Sequence, residues 1–215
     1  MRIMTLVWGI LPALLWLLYF YLQDRFPEPP KVVFRVFVFG ALAIIPAVII
    51  EMRYVTELWQ GAPILSSILV NYGVVATAEE LSKLASMVIS LEKAKVIDSP
   101  VDGLVYGVSA GLGFATLENI LYINSFGMQV APVRAIFSNL AHALFTGVLG
   151  YHYARSILLD KKSEIWKGIL WAVFLHGSYN FILISGVVSP IWAIVLLAVA
   201  FYKVSQVFRR QRRVN

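Results

Sequence analysis

The sequence predicts an all-α fold, a polytopic transmembrane helical bundle of about seven spans, with six as the alternative count. Three observations lead there. Hydrophobic residues make up 60% of the 215 positions and charged residues 14%, against roughly 25% charged in ordinary globular chains. Apolar windows of about 20 residues, the length that crosses a bilayer as a helix, recur between clusters of charge. Basic residues concentrate in alternate loops.

The windows lie near 4–22, 32–50, 64–90, 103–123, 135–158, 166–186 and 188–207. The first follows Arg2 and ends LLYFYLQD. It is too long for the core of a signal peptide and no small-residue cleavage site follows, so it is expected to be retained. DRFPEPPK, with Pro27, Pro29 and Pro30, reads as a short stiff loop at the membrane surface. The fourth window carries Gly103, Gly107 and Gly111 at steps of four, with Ser109, Ala110 and Gly113 nearby. Such a stripe lets backbones approach closely and places this span at the centre of the bundle. Only GVVSP separates the last two windows, which keeps six spans as the alternative.

Arg25, Lys31 and Arg35 follow the first span, Lys93 and Lys95 the third, and Arg155, Lys161, Lys162 and Lys167 surround the exit of the fifth; five basic residues close the chain. The alternate loops carry Arg53 with Glu51 and Glu57, then Arg134 alone, then no basic residue. Seven spans with the N-terminus outside and the C-terminus cytoplasmic satisfy every loop. The net charge of +6 therefore marks helix ends, not a nucleic-acid surface, and FRRQRRVN, a basic tail over about 208–215, is expected to lie on anionic lipid. Cysteine is absent, which excludes a disulfide framework and thiolate catalysis.

Ionisable residues inside such windows stand out, because each costs about 2.5–3.5 kcal/mol at mid-bilayer on insertion scales. The third span carries Glu79, Glu80 and Lys83, the fourth Glu118 and Asn119, the fifth Asn139 and His142, and the sixth His176 and Asn180. Glu79 and Lys83 are i, i+4 and Glu80 and Lys83 i, i+3, so the lysine can lie beneath either carboxylate. His152 falls near the basic end of the fifth span and reads as interfacial and structural. Under the proposed topology all four sets lie from mid-membrane toward the outer face, within reach of one outward-opening cavity. Two adjacent carboxylates in a low dielectric cannot both ionise cheaply, so one is expected to hold a proton while Lys83 keeps the other anionic. Such a carboxylate is a competent base for water, and His or Asn on facing helices can stabilise an oxyanion. This is an apparatus for peptide hydrolysis within a membrane, with Glu80 the favoured base of the pair.

EELSK, DGLVYGVSAGLGFATLENILY, HAL and HGSYNFIL, in this order and after the YFYLQDRFPEPP loop, resemble the PrsW family of bacterial intramembrane proteases, within the clan of CAAX prenyl endopeptidases and bacteriocin-processing proteins. The resemblance covers most of the chain. It implies one integral-membrane protease domain over 1–215 in the bacterial cytoplasmic membrane. It also implies that Glu79 and Glu80 activate water while His142 and His176 complete the catalytic centre, with Lys83, Glu118, Asn119, Asn139 and Asn180 in support. Asn180 stands where such proteases often have Asp, which weakens a proton-relay role there. The prenyl branch has Arg one residue beyond the position of Lys83, which points away from a CAAX substrate. The role implied is the first cut, on the extracytoplasmic side, of a transmembrane anti-sigma factor.

No cofactor is expected on this reading. The nearest rival is a zinc enzyme using Glu79, Glu80, His142 and His176, although no H-E-x-x-H pairs two ligands on one helix. A transporter would show paired repeats and broken helices, which are not found. A non-catalytic binding or immunity protein on the same scaffold is the remaining alternative, and the intact motif residues weigh against it.

Overall fold

The computed structural model describes residues 2–58, 63–91 and 96–213. Lys93 and Lys95, used in the loop-charge argument, lie outside them, as does the very end of the basic tail. Among the described residues there is no strand, and seven helices are long and apolar enough to cross a membrane: Arg2–Gln23, Pro30–Val55, Ile64–Leu91, Pro100–Phe126, Met128–Leu158, Lys162–Ile184 and Ile191–Arg212. The six-span alternative therefore falls away. A turn with Gly186 at φ +67° divides the last two helices, a conformation open to glycine because it has no Cβ.

Helix α1 (Arg2–Gln23) is followed by α2 (Pro30–Leu42) and α3 (Ile44–Leu58), which together form the second span. The third combines α4 (Pro63–Ile68), a π-helical stretch over Leu69–Ala76, and α5 (Thr77–Leu91). Helix α6 (Pro100–Phe126) is the fourth. The fifth winds through α7 (Ala131–Val133) and a second π-helical stretch, Arg134–Ser138, into α8 (Asn139–Leu158). Helices α9 (Lys162–Ile184) and α10 (Ile191–Arg213) complete the bundle.

Helix α6 starts where the sequence says it should. The Ser99 hydroxyl accepts the amides of Val101 and Asp102, the Asp102 carboxylate accepts the Ser99 amide at 2.7 Å, and Pro100 fills the first position, a capping box with its proline. The same helix forms the core of the bundle, packed mainly on α8, α2 and α1. Its glycines explain this. A Cβ at Gly103, Gly107 or Gly111 would run into the carbonyl oxygens of Gly150, Thr146 and His142 on α8. On the opposite side, Ser109 donates to the Val33 carbonyl of α2 at 2.7 Å. Where α6 is buried on every side from Val101 to Thr116, α1, α9 and α10 turn Leu15, Leu18, Leu170, Trp171 and Val199 outward, the apolar surface that lipid covers. The basic end of α10 is helical, and Arg212 donates to the carbonyl oxygens of Leu22 and Gln23. A cation there satisfies the open end of α1.

Candidate active site

The close backbone contact of α6 with α8 at Gly111 sets the position of His142, and the wide turn of Leu69–Ala76 sets the phase at which α5 enters the core. Two of the four helices bearing central ionisable groups, α5 and α8, are thus preceded by π-helical segments, a departure that recurs at functional sites. Thr77, at the junction, donates its hydroxyl back to the Tyr72 carbonyl at 2.7 Å.

At the centre lies Lys83, fully buried. Its Nζ donates to Glu79 Oε2 at 2.8 Å, to Glu80 Oε1 at 2.9 Å and to His142 Nδ1 at 3.0 Å. An ammonium has three donors and no acceptor, so all three are used. His142 Nδ1 must then accept, which leaves the ring proton on Nε2, facing Glu118 Oε2 at 2.9 Å. The sequence offered the lysine to either glutamate; in the fold it holds both.

The glutamates differ sharply in what remains free. Glu80 Oε1 also meets His176 Nδ1 at 2.8 Å, and Oε2 accepts the Thr146 hydroxyl at 2.9 Å. Its carboxylate is fully engaged and has no exposed surface. Glu79 has Lys83 as its hydrogen-bond partner and lines a cavity of about 650 Å³. His176 Nε2 lies 3.7 Å from Glu79 Oε2, and His142 Nδ1 lies 3.9 Å from the same oxygen. The two imidazoles stand perpendicular, 5.3 Å between ring centres.

A second layer holds Glu118. Arg134 Nη2 pairs with its Oε2, Nε donates to Asn119 Oδ1 at 2.7 Å, and the guanidinium lies 3.7 Å from the Tyr122 ring centre. Asn119 Nδ2 donates to Asn139 Oδ1 at 3.0 Å, and Asn139 donates to the Ala135 carbonyl at 3.1 Å. These two asparagines brace Arg134 from behind. Asn180 does line the cavity, with Glu79, Glu118, Arg134, His142 and His176, and takes no partner among the described residues. The predicted set is thus gathered at one place, with Asn119 and Asn139 one layer removed. His152 is elsewhere, 3.2 Å from Glu164 Oε2 beside Arg155 and Lys167.

Three contributors were not singled out from sequence. Thr146 is a neutral residue in an apolar helix and gave no signal. Arg134 and Glu51, both on the cavity wall, read as loop charges because they sit near span ends. All cavity-lining residues lie on the halves of their helices that lead to Val55, Ile64, Tyr122, Val133 and Ile184. The cavity therefore opens toward the face opposite the one where Asp24, Asp102 and Arg212 lie.

The model of a family described as "PrsW family intramembrane metalloprotease" matches residues 28–205. The chain belongs to the PrsW family. It is 33% identical to Protease PrsW of Geobacillus kaustophilus over 92% of this chain and 89% of that one. It is 36% identical to Protease PrsW of Bacillus subtilis over 81% and 80%, and 32% identical to that of Oceanobacillus iheyensis over 92% and 93%. No solved structure matches. A PrsW-family chain with seven apolar spanning helices is a multi-pass membrane peptidase.

The family description raises the question of a metal. Glu79, His142 and His176 each offer one ligand atom, all within 4.8 Å of one another and all buried. One carboxylate with two imidazoles fits the three-ligand pattern of catalytic zinc. The donor set therefore fits such an ion.

Proposed function

We propose that this protein is an intramembrane endopeptidase that hydrolyses a peptide bond of a transmembrane protein at the Glu79–His142–His176 cluster. The observation that carries the reading is that these three groups converge on one cavity within the spanning part of the bundle. Glu79, the glutamate facing the cavity, takes the proton from the attacking water and returns it to the departing amine. This replaces the initial preference for Glu80, whose oxygens are committed to Lys83, His176 and Thr146. Lys83 holds the Glu79 carboxylate in place through its hydrogen bond to Oε2. Glu80 orients the His176 ring through Nδ1, leaving Nε2 toward Glu79. Asn180, on the cavity wall with a free amide, donates to the oxyanion. Glu118, held by Arg134, fixes the tautomer of His142.

A second reading is favoured by the donor set itself, in which Glu79, His142 and His176 hold a zinc-type ion. Such an ion supplies a Lewis acid and acidifies bound water. The residue roles of Glu80, Glu118 and Arg134 as orienting groups are the same on both readings.

The partner proposed is a single-pass anti-sigma factor cut on its extracytoplasmic side. Support comes from the alternation of loop charge, which by the positive-inside rule favours a cavity mouth on the outside, and from the family resemblance. The basic end of α10 is proposed to face cytoplasmic anionic lipid. The test is co-reconstitution with single-pass substrates in liposomes, comparing wild type with Glu79→Gln and His176→Ala, each with and without a tight chelator. Cleavage by wild type that both substitutions abolish supports the reading; cleavage by Glu79→Gln at the wild-type rate overturns it. Activity that survives complete metal removal eliminates the zinc reading.

A further inference from the structure

The loop joining α1 to α2 carries Asp24 and Glu28 over the first turn of α6, where Asp102 stands. One oxygen from each of the three carboxylates lies within 4.8 Å of the other two. Their exposures are 6%, 7% and 2%, so three acidic groups share one buried point. The nearby buried guanidinium of Arg35, whose charge acts on Tyr106, leaves Nε and Nη2 without hydrogen-bond partners and so pairs none of the three through them. Three carboxylates so arranged are costly to keep ionised together, and buried ones are rarely left without a cation, a metal or a proton.

Local structure accounts for part of the cluster. Asp102 Oδ2 accepts the amides of Asp98 at 2.8 Å and Ser99 at 2.7 Å, as the cap of α6 requires. Glu28 Oε2 accepts the Tyr106 hydroxyl, and Asp24 Oδ1 accepts the Phe26 amide at 3.1 Å. Asp24 Oδ2 is buried and takes no hydrogen bond, although the Gln211 side chain also approaches this carboxylate. A buried carboxylate oxygen without a protein partner, beside two further carboxylates, is a donor open to a cation. The donors are all oxygen, with no imidazole or thiolate, which selects hard cations over zinc.

We propose that Asp24, Glu28 and Asp102 bind a hard divalent cation of the Mg²⁺ or Ca²⁺ class, at the corner where α1, α2 and α6 meet. The ion joins the α1–α2 loop to the start of α6. The same corner already receives α10, since the Arg25 amide donates to Gln211 Oε1 at 3.2 Å and Arg212 binds the carbonyls of α1. Sixteen residues of α6 separate Asp102 from Glu118, about 24 Å at 1.5 Å per residue, so this site is distinct from the cavity.

The test uses terbium(III), an oxygen-seeking substitute for Ca²⁺, titrated into the chelator-treated full chain in detergent and read by tyrosine-sensitised emission. Tyr106 is the sensitiser beside Glu28; Tyr122 would serve an ion bound near Glu118. The result expected is saturable emission that excess Ca²⁺ or Mg²⁺ displaces, that Asp24→Asn and Glu28→Gln each abolish, and that Glu118→Gln retains. Asp24→Asn keeps the side-chain oxygen that accepts the Phe26 amide, so the folded variant is attainable. As a second readout, Ca²⁺ or Mg²⁺ raises the unfolding temperature of wild type, because a ligand of the native state stabilises it, and does not raise that of Asp24→Asn. Absence of saturable emission in wild type, emission that survives both substitutions, or no thermal shift by either ion overturns the proposal.

Discussion

Glu80 and His176, on α5 and α9, meet at 2.8 Å through Oε1 and Nδ1, while the adjacent Glu79 faces the cavity. On the proposed reading one glutamate orients and the other reacts, so the two substitutions to glutamine are expected to be unequal. Glu79→Gln is expected to lower kcat by about 10²–10⁴-fold, the range for loss of a general base. Glu80→Gln keeps an oxygen for His176 and is expected to cost roughly 10–100-fold, as for groups that orient a reactive side chain. Parallel turnover measurements on one substrate check the order, and the reverse order would sink the assignment.

Lys83 is the cation that neutralises two carboxylates with no exposed surface of its own. Its removal leaves uncompensated buried charge, for which the cost is about 3–5 kcal/mol. Lys83→Met is expected to lower the unfolding temperature in detergent. Adding Glu80→Gln to it should recover part of the loss, because one stranded charge is gone. Failure of the second substitution to restore any stability would show that the lysine acts by packing against Phe114, 4.1 Å from its ring centre.

On the proposed reading Arg134, although it lines the cavity, acts on the chemistry through Glu118, with which it is paired. Arg134→Ala and Glu118→Gln should each reduce kcat more than they raise KM, and the double variant should be no worse than the more damaged single one, since contacting residues are non-additive. Arg134→Lys should restore part of the rate. A double-mutant cycle in kcat/KM tests this, and additive losses would separate the two residues.

Glu28 carries a pH dependence of its own in metal-free protein. Burial pushes its carboxyl up to about 7, with the charges of Asp102 and Asp24 adding to the rise and the Tyr106 hydroxyl opposing it. The folded state therefore binds this proton more tightly than the unfolded chain does. The contribution is fully present below the ordinary value of 4.5 and is lost as pH rises through 7. Unfolding temperatures of the chelated protein should fall across that window, and Glu28→Gln should flatten the slope.

The seven spans were legible because hydropathy reports directly on length and lipid exposure. The clustering of these residues was legible because an ionisable residue in an apolar window is costly enough to need a reason. Spacing along a helix does not give its rotation against its neighbours. Asn119 and Asn139 accordingly looked equivalent to Asn180, yet they face each other behind Arg134. Position near a span end disguised Arg134 as a topological charge. Asp24, Glu28 and Asp102 come from separate segments, and only folding brings them to one point.

The π-helical stretch over Leu69–Ala76 has a consequence for how such a chain can vary. Each residue of an α-helix advances the azimuth by about 100°, so losing one residue from that stretch would swing Glu79 and Glu80 away from His142 and His176. The span would remain as apolar and nearly as long, and insertion would proceed unchanged. Length in this segment is thus a rotary setting, invisible to the bilayer and decisive for the enzyme.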